Sequence, residues 1–477
     1  MQISELGPLL PELIIASLGL VLLIVEAFLI KRKEIVAALA LLGTFAAFYS
    51  LTYTSFGPAF SDMFISDGYG VFFKIIFFVN LILSILMSVR YLKTEDSFHG
   101  EYYCLLVFAT CGMMIMASAG NMVTLYLGLE LMALSTYVLA GFNRHDSKST
   151  EAAIKYFLTG GFSTALLLYG IALMYGVTGS MDLKAIAVYI AEHNVRENPM
   201  STIALVLMAS AFAFKIAAVP FHMWAPDVYE GAPTPVTAFM SIGPKAAGFA
   251  VLGRVFLYTF AQLAPDWTTM LIALSILTMC VGNVMALVQT NIKRMLAYSS
   301  IAHAGYALIG IIAATPEGMS ASMNYLLIYM FMNIGAFSVI LLLNTKDFKG
   351  LEISDYAGLA KAHPIVGAAM LIFMFSLTGI PPMAGFVGKF YVFMSAVRSG
   401  YMWLAVLAVI FSVISAFFYL RIVMYMYMKE PEREVELAHS NALGVSLGVA
   451  AAFVLLIGIA PQRFLEFAKA TVRTLYF

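Results

Sequence analysis

Four ionisable side chains stand inside long apolar runs of this chain: Glu130, Lys215, Lys245 and Lys389. A charged side chain at the centre of a bilayer helix costs about 2.5–3.5 kcal/mol on insertion scales, so such residues face a protein interior or a wet cavity and mark ion pathways. Glu130 sits near the middle of the apolar run that begins at Asn121, and an isolated carboxylate there must find a cation, hold a proton, or alternate between the two. Alternation is what a proton carrier needs. Lysine suits the complementary role, because a desolvated ammonium exchanges its proton readily. A static Glu130–Lys215 pair that only fixes helix packing is the other reading, and it leaves Lys245 and Lys389 without a purpose.

These side chains need elements that can hold them, and the sequence points to two broken helices. The stretch from Ala211 to Gly248 runs as an apolar helix to Lys215, meets Pro220, passes through a short polar segment and resumes as an apolar run containing Lys245. A second break is expected where Gly379, Pro381, Pro382 and Gly385 interrupt the run that carries Lys389, since proline removes a helical donor and clashes with the preceding turn. Breaks at membrane depth are tolerated only beside protein or water. Polar stripes at helical spacing add relay candidates: Lys155 with Thr159 and Ser163, Thr237 and Ser241 with Lys245, Ser299 and Tyr306 with His303, and Tyr325, Tyr329 and Asn333. Taken singly, each stripe is equally well read as hydrogen-bonded glue between helices. His222, soon after Lys215, lies at the edge of the path or caps the break, while Lys74, Arg254 and Arg421 are read as snorkelling residues.

Composition fixes the setting. With 62% hydrophobic and 11% charged residues over 477 positions and a mean hydropathy of +0.90, the chain is too apolar for a soluble globule. A formal net charge of zero without a long basic run excludes nucleic-acid binding as an expectation. Cys104, Cys111 and Cys280 lack metal-type spacing and read as buried packing thiols, and the scattered histidines suggest no metal site. The first apolar run is as long as a full span and has no basic flank before it, so no signal peptide is expected.

Measured against a span of about 20 residues, the apolar runs give an all-α membrane protein with about fourteen transmembrane helices. They are placed near Leu9–Ile30, Ile35–Tyr53, Tyr69–Tyr91, Tyr102–Ala119, Asn121–Gly141, Ala152–Val177, Ser201–Pro220, Pro235–Phe260, Trp267–Val288, Met295–Ala314, Ala321–Leu343, His363–Arg398, Trp403–Met428 and Ala442–Ile459. Connections after odd-numbered spans carry Lys31, Arg32, Lys33, Lys93, Arg144, Lys148, Lys293, Arg294, Lys346, Lys349, Lys361, Lys429 and Arg433. Those after even-numbered spans carry only Lys184, Arg196 and Arg398, which puts both termini outside; Arg463, Lys469 and Arg473 in the tail oppose this. The seventh and twelfth spans are both proline-interrupted and lysine-bearing, and paired broken segments point to repeats. Because they are separated by an odd number of helices, two inverted five-helix repeats are expected. The corresponding division is 1–101, three N-terminal helices; 102–260, the first repeat; 261–428, the second; and 429–477, the last helix and tail.

Three blocks carry a family resemblance: Phe214 to Val236 around the first break, Asn291 to Tyr306, and Gly379 to Lys389. They resemble the proton-conducting, antiporter-like subunits of respiratory complex I, over essentially the fourth to thirteenth spans. The resemblance implies that Glu130 and Lys215 form the family's glutamate–lysine couple, that Lys245 is its central lysine and that Lys389 stands near the outer exit. It also implies proton translocation in a bacterial inner (cytoplasmic) membrane, driven by electron transfer from NADH to quinone in other subunits. NADH, FMN, iron–sulfur clusters and quinone would then belong to those partners, and this chain would hold no cofactor and no metal. Its partners would be the lipid bilayer and other membrane-arm subunits, including further antiporter-like ones. The sequence itself has no glycine-rich nucleotide fingerprint and no cluster-type cysteine spacing. A subunit of a multisubunit sodium/proton antiporter shares the same motifs, and a purely structural membrane-arm subunit is the reading from another class.

Overall fold

The computed structural model describes residues 3–28, 33–346, 348–431, 436–438 and 440–475; Lys31, Arg32 and Arg433, which enter the charge count above, lie outside them. Because the long runs are apolar on every face, they fold as helices packed on one another or on lipid. The chain opens with α1 (Leu10–Phe28), α2 (Glu34–Ser50), a small hairpin of β1 (Gly57–Ala59) and β2 (Phe64–Ser66), and α3 (Gly68–Thr94). It continues with α4 (Glu101–Ala117), α5 (Met122–Ala140), α6 (Ser147–Thr178), α7 (Leu183–Glu192), α8 (Pro199–Lys215), α9 (Trp224–Gly231) and α10 (Thr234–Leu252). A π-helical stretch, Gly253–Thr259, prolongs α10. Then follow α11 (Ala264–Leu287), α12 (Ile292–Ile312), α13 (Pro316–Leu343), α14 (Leu359–Ala362), α15 (Pro364–Thr378), α16 (Ala384–Arg398), α17 (Met402–Met428), α18 (Asn441–Ile459) and α19 (Gln462–Val472). Among the described residues, ten helices are long and apolar enough to cross a membrane, and α2, α4, α8 and α15 are shorter apolar helices.

Side chains with short oxygen reach start several of these helices by accepting an otherwise orphaned amide. Asp67 caps α3, Asn121 α5, Asp146 α6, Asn198 α8, Asn291 α12 and Ser440 α18. The apolar windows of α10, α12 and α13 are wholly buried, whereas those of α1, α6, α17 and α18 are only one-third buried. Lys245 lies on α10, and His303 and Tyr306 on α12, so these three candidates sit on the innermost helices, while Glu130, Lys215 and Lys389 lie on α5, α8 and α16 around them. Glycines bring two helix pairs close. A Cβ on Gly112 of α4 would lie 2.5 Å from Gly128 O and Met132 N of α5; on Gly282 of α11 it would lie 2.9 Å from Tyr298 O and 2.6 Å from Ala302 N of α12.

The first helix break differs in detail from the sequence-based expectation, and the second falls between Thr378 and Ala384, at the expected glycines and prolines. α8 stops at Lys215, ahead of Pro220, because Ala217 turns into the left-handed region (φ 57°) and the chain cannot continue the helix. The segment beyond Pro220, expected as a polar connection, re-forms a helix at Trp224 whose apolar face is buried. The freed backbone is satisfied locally: the Trp224 indole donates to Phe214 O (3.1 Å), and Val219 N–H donates to Thr278 Oγ1 (2.9 Å). α15 ends at Thr378 with Gly379 at φ 93°, and α16 begins at Ala384, where Gly385 N–H donates to Ser376 Oγ (2.9 Å). Val219–Pro220 and Pro381–Pro382 are cis.

Two strands and two further helices carry too little apolar length to read as spans. β1 and β2 pair antiparallel, Gly57 with Ser66, and add strand to an otherwise helical chain. α7 is a short amphipathic helix between α6 and α8. α19 lies against α3 and α13, where Thr474 just beyond it accepts from Tyr69 N–H (2.9 Å) and Phe467 meets Phe72 (ring centroids 5.6 Å).

Candidate functional site

Glu130 on α5 is half-buried and accepts a hydrogen bond from Thr164 Oγ1 of α6 (2.7 Å). Lys215, the last residue of α8, is buried, and among the described residues its Nζ has no hydrogen-bond partner and no carboxylate within ion-pair distance. A static Glu130–Lys215 ion pair is therefore not the arrangement found. Instead Lys215 Nζ stands over the rings of Tyr137 (5.8 Å) and Phe214 (5.6 Å), which offer a desolvated cation their negative faces. Gly248 of α10, one helical turn from Lys245, lets the chain just after Lys215 approach closely: a Cβ there would come within 2.8 Å of Ile216 Cγ2.

Lys245 is buried and donates to the Ser300 carbonyl (2.9 Å) and hydroxyl of α12. One turn along α12, His303 bonds through Nδ1 to Tyr325 Oη (2.6 Å) and through Nε2 to Tyr419 Oη (3.0 Å); Tyr419 also bonds Ser299. A cavity of about 10 Å³, roughly the room one water needs, is lined by Lys245, Ser300, His303, Tyr325 and Tyr329. The stripes anticipated on α10, α12 and α13 meet here, and Asn333 donates to Ser241. Tyr306 accepts from Asn283 Nδ2 (3.0 Å), and its ring lies 5.1 Å from Lys389 Nζ.

Lys389 on α16 spends its three N–H groups on Leu377 O (2.9 Å), Thr378 O (2.8 Å) and Ser412 Oγ (2.8 Å). It thus stands at the C-terminus of α15, where unpaired carbonyls favour a cation. Beside it, a groove of about 670 Å³ between α16 and α17 is walled by apolar side chains with Lys389, Thr378 and Ser412 at its floor. Lys389 follows its helix break, whereas Lys215 precedes its own.

Several residues stand elsewhere than the sequence suggested. Lys155 does not line the interior: it pairs with Glu151 (2.7 Å) and Asp227 (2.6 Å), in a half-exposed cluster that Arg294, Glu230 and Lys148 complete. His222 is half-buried in the turn before α9, and its carbonyl accepts from Ala225 N–H (2.9 Å). Lys74 and Arg254 do not snorkel, because each has a buried acidic partner: Glu12 at 2.7 Å and Asp67 at 2.8 Å. Arg421 donates to Leu287 O (3.0 Å) and Gln289 O at the end of α11. Lys293, counted above as a loop charge, is buried and donates to Glu230 O (2.9 Å) and Ala232 O (2.6 Å) at the end of α9. Thr164, Ser300, Ser412 and Tyr419 escaped the sequence reading, since a lone hydroxyl in an apolar helix is ordinary and only a partner on another helix singles it out. Among the described residues no His, Cys, Asp and Glu group is arranged to hold a metal.

A bundle of apolar helices with two breaks and with lysines, hydroxyls and a histidine buried in its interior defines a polytopic membrane protein. The chain belongs to the NADH:quinone oxidoreductase/Mrp antiporter transmembrane family, whose pattern matches residues 119–415. It is 49% identical to NADH-quinone oxidoreductase subunit N of Trichlorobacter lovleyi, over 99% of this chain and 98% of that one. It is 47% identical to subunit N 2 of Rhizobium meliloti, over 96% of each. A chain of respiratory complex I from Thermus thermophilus matches with a TM-score of 0.82 at 34% identity, covering 96% of this chain and 99% of that one. A chain of the Mrp complex from Dietzia sp. shares the fold at 20% identity, with a TM-score of 0.84 over 100% of this chain and 98% of that one.

Proposed function

We propose that this chain is a proton-translocating membrane-arm subunit of an NADH–quinone oxidoreductase, of the subunit N type, driven by electron transfer from NADH to quinone in partner subunits. The observation that carries this reading is the succession of half-buried Glu130 and buried Lys215, Lys245, Ser300, His303, Tyr306 and Lys389, in a chain alike over nearly its whole length to relatives named subunit N. Glu130 supplies a charge able to draw a proton onto Lys215. Lys245 passes its proton toward the His303–Tyr325–Tyr419 cluster through the small cavity they share. Lys389, held only by carbonyls and a hydroxyl, takes up and releases the proton at the far end. NADH, FMN, iron–sulfur clusters and quinone are assigned to partner subunits.

About fourteen membrane crossings follow when α8 with α9, and α15 with α16, each count as one broken crossing. Two inverted repeats, 102–260 and 261–428, are supported by recurring contacts. Asn121 pairs with Asp182 and Asn291 with Glu352, each in an antiparallel bridge at the start of a helix. The close approaches of Gly112 to Gly128 and Met132 recur in Gly282 with Tyr298 and Ala302. Every residue of the second set follows its counterpart by the same interval along the chain, and that interval places Ser300 opposite Glu130. Where the first half has the Glu130 carboxylate, the second therefore has the Ser300 hydroxyl, which accepts from Lys245 of the first half. We place the chain in a bacterial inner membrane, both termini on the outer side, with further antiporter-like subunits and lipid against exposed apolar residues such as Phe162 and Val413.

The test is Glu130→Gln in the assembled complex. Quinone reduction by NADH should persist in part while proton pumping into sealed vesicles falls sharply, with no dependence on sodium. Full pumping in the assembled variant would remove Glu130 from the path, and a sodium requirement would favour the antiporter reading.

A further inference from the structure

We propose that Thr164 is a positioning residue for Glu130, and that the middle turn of α6 sets how far the carboxylate stands from Lys215. The inference rests on the proposed role of Glu130 and Lys215 in proton transfer. Helical threonines normally return their hydroxyl to their own backbone. In this chain Thr44, Thr110, Thr136, Thr159 and Thr178 each donate to the carbonyl one turn earlier, at 2.6–3.0 Å. Thr164 instead donates across to Glu130 Oε1 at 2.7 Å.

Its neighbours make that turn a template for both charges. Gly160 lies under the Tyr137 hydroxyl so closely that a Cβ would come within 1.9 Å, and Tyr137 is the ring over which Lys215 stands. Ser163 Oγ donates to Ala211 O (3.3 Å), one turn before Lys215 on α8. One turn of α6 therefore touches the carboxylate, the ring beside the ammonium and the helix that carries the ammonium. A carboxylate has lone pairs enough for both donors, so Thr164 and Lys215 compete for its position rather than for its lone pairs: the hydroxyl holds Glu130 against α6, beyond ion-pair distance of Lys215. While the hydroxyl holds the carboxylate, Lys215 lacks a counter-ion; when the carboxylate swings over, the proton on Lys215 is held. Thr164 sets the balance between these arrangements, and without it the charged pair stays closed.

The experiment compares Thr164→Val and Thr164→Ser, each alone and combined with Glu130→Gln, in the assembled complex in sealed membranes. Valine keeps the shape and loses the donor, so proton pumping should fall roughly tenfold, the weight of one hydrogen bond to a charged group. Serine keeps the donor and should pump near the wild-type rate. In the Glu130→Gln background, valine should add no further loss. Wild-type pumping by Thr164→Val, or losses that multiply in the double variant, would overturn the proposal. If valine blocks assembly, Thr164→Ala, which only removes atoms, carries the same comparison. Should Glu130→Gln itself pump normally, the underlying reading of Glu130 fails; should it fail to pump while Thr164→Val pumps normally, only the role of Thr164 fails.

Discussion

The lysines of the path differ in what surrounds them. Lys215 has aromatic faces, Lys245 a serine hydroxyl and carbonyl, and Lys389 three oxygen acceptors at a helix end. Among the described residues none of the three has a carboxylate within ion-pair distance. At Lys389 this geometry allows a sharp test. If its charge only neutralises the carbonyls of α15, arginine serves as well. If it takes up and releases a proton, Lys389→Met and Lys389→Arg should both impair pumping, because methionine carries no charge and arginine, with a pKa above about 12, keeps its proton. Lys389→Glu restores a titratable group whose protonated form can donate to the same carbonyls, so it should recover more pumping than arginine. Arginine near wild type with glutamate inactive would leave Lys389 as a fixed charge.

Elements, not residue types, decide which charges could be read from the sequence. Glu130, Lys215, Lys245 and Lys389 were legible because each stands deep in an apolar run, where its cost demands an explanation. Lys74, Arg254 and Lys293 were misread because they lie near span ends, and their partners come from distant elements: Glu12 on α1, Asp67 before α3, and the carbonyls ending α9. α9 was missed because Asp227 and Glu230 make its sequence look like a loop, though they pair with Arg294, Lys155 and Lys148 from neighbouring helices. The Glu12–Lys74 pair, fully enclosed between α1 and α3, gives the element-scale prediction. Lys74→Met should destabilise the three N-terminal helices by about 3–5 kcal/mol, since it strands a buried carboxylate. Adding Glu12→Leu removes that stranded charge and should return most of the loss, read as thermal stability and recovery of the assembled complex. A double variant no better than Lys74→Met would mean that the pair has a role beyond burial.

At the scale of the whole molecule, the N-terminal helices, the hairpin and α19 gather around α3. Tyr69 of α3 donates through its hydroxyl to Ala250 O of α10 (2.8 Å), and Arg254, in the π-helical end of α10, reaches Asp67 and Ala117 O (2.7 Å). This anchoring ties one end of the Lys245 helix to the outer elements, so the sidedness of those elements fixes the direction of the path. The charge bias puts the connection between α11 and α12 in the cytoplasm and the start of α11 outside. Lys293, now seen to be buried, carries no weight as a solvated loop charge, but Lys148, Arg294 and Lys349 around the same mouth keep the bias. Thr290 and Gln262 are exposed at opposite ends of α11, and neither takes part in the path. In a background where Cys104, Cys111 and Cys280 are replaced by serine or alanine, Thr290→Cys should react with a membrane-impermeant maleimide only in inverted vesicles, and Gln262→Cys only in right-side-out ones. Labelling of both from one side would mean that α11 does not cross the bilayer. The reverse pattern would turn the molecule over and place Lys389, rather than Glu130 and Lys215, where protons are taken up.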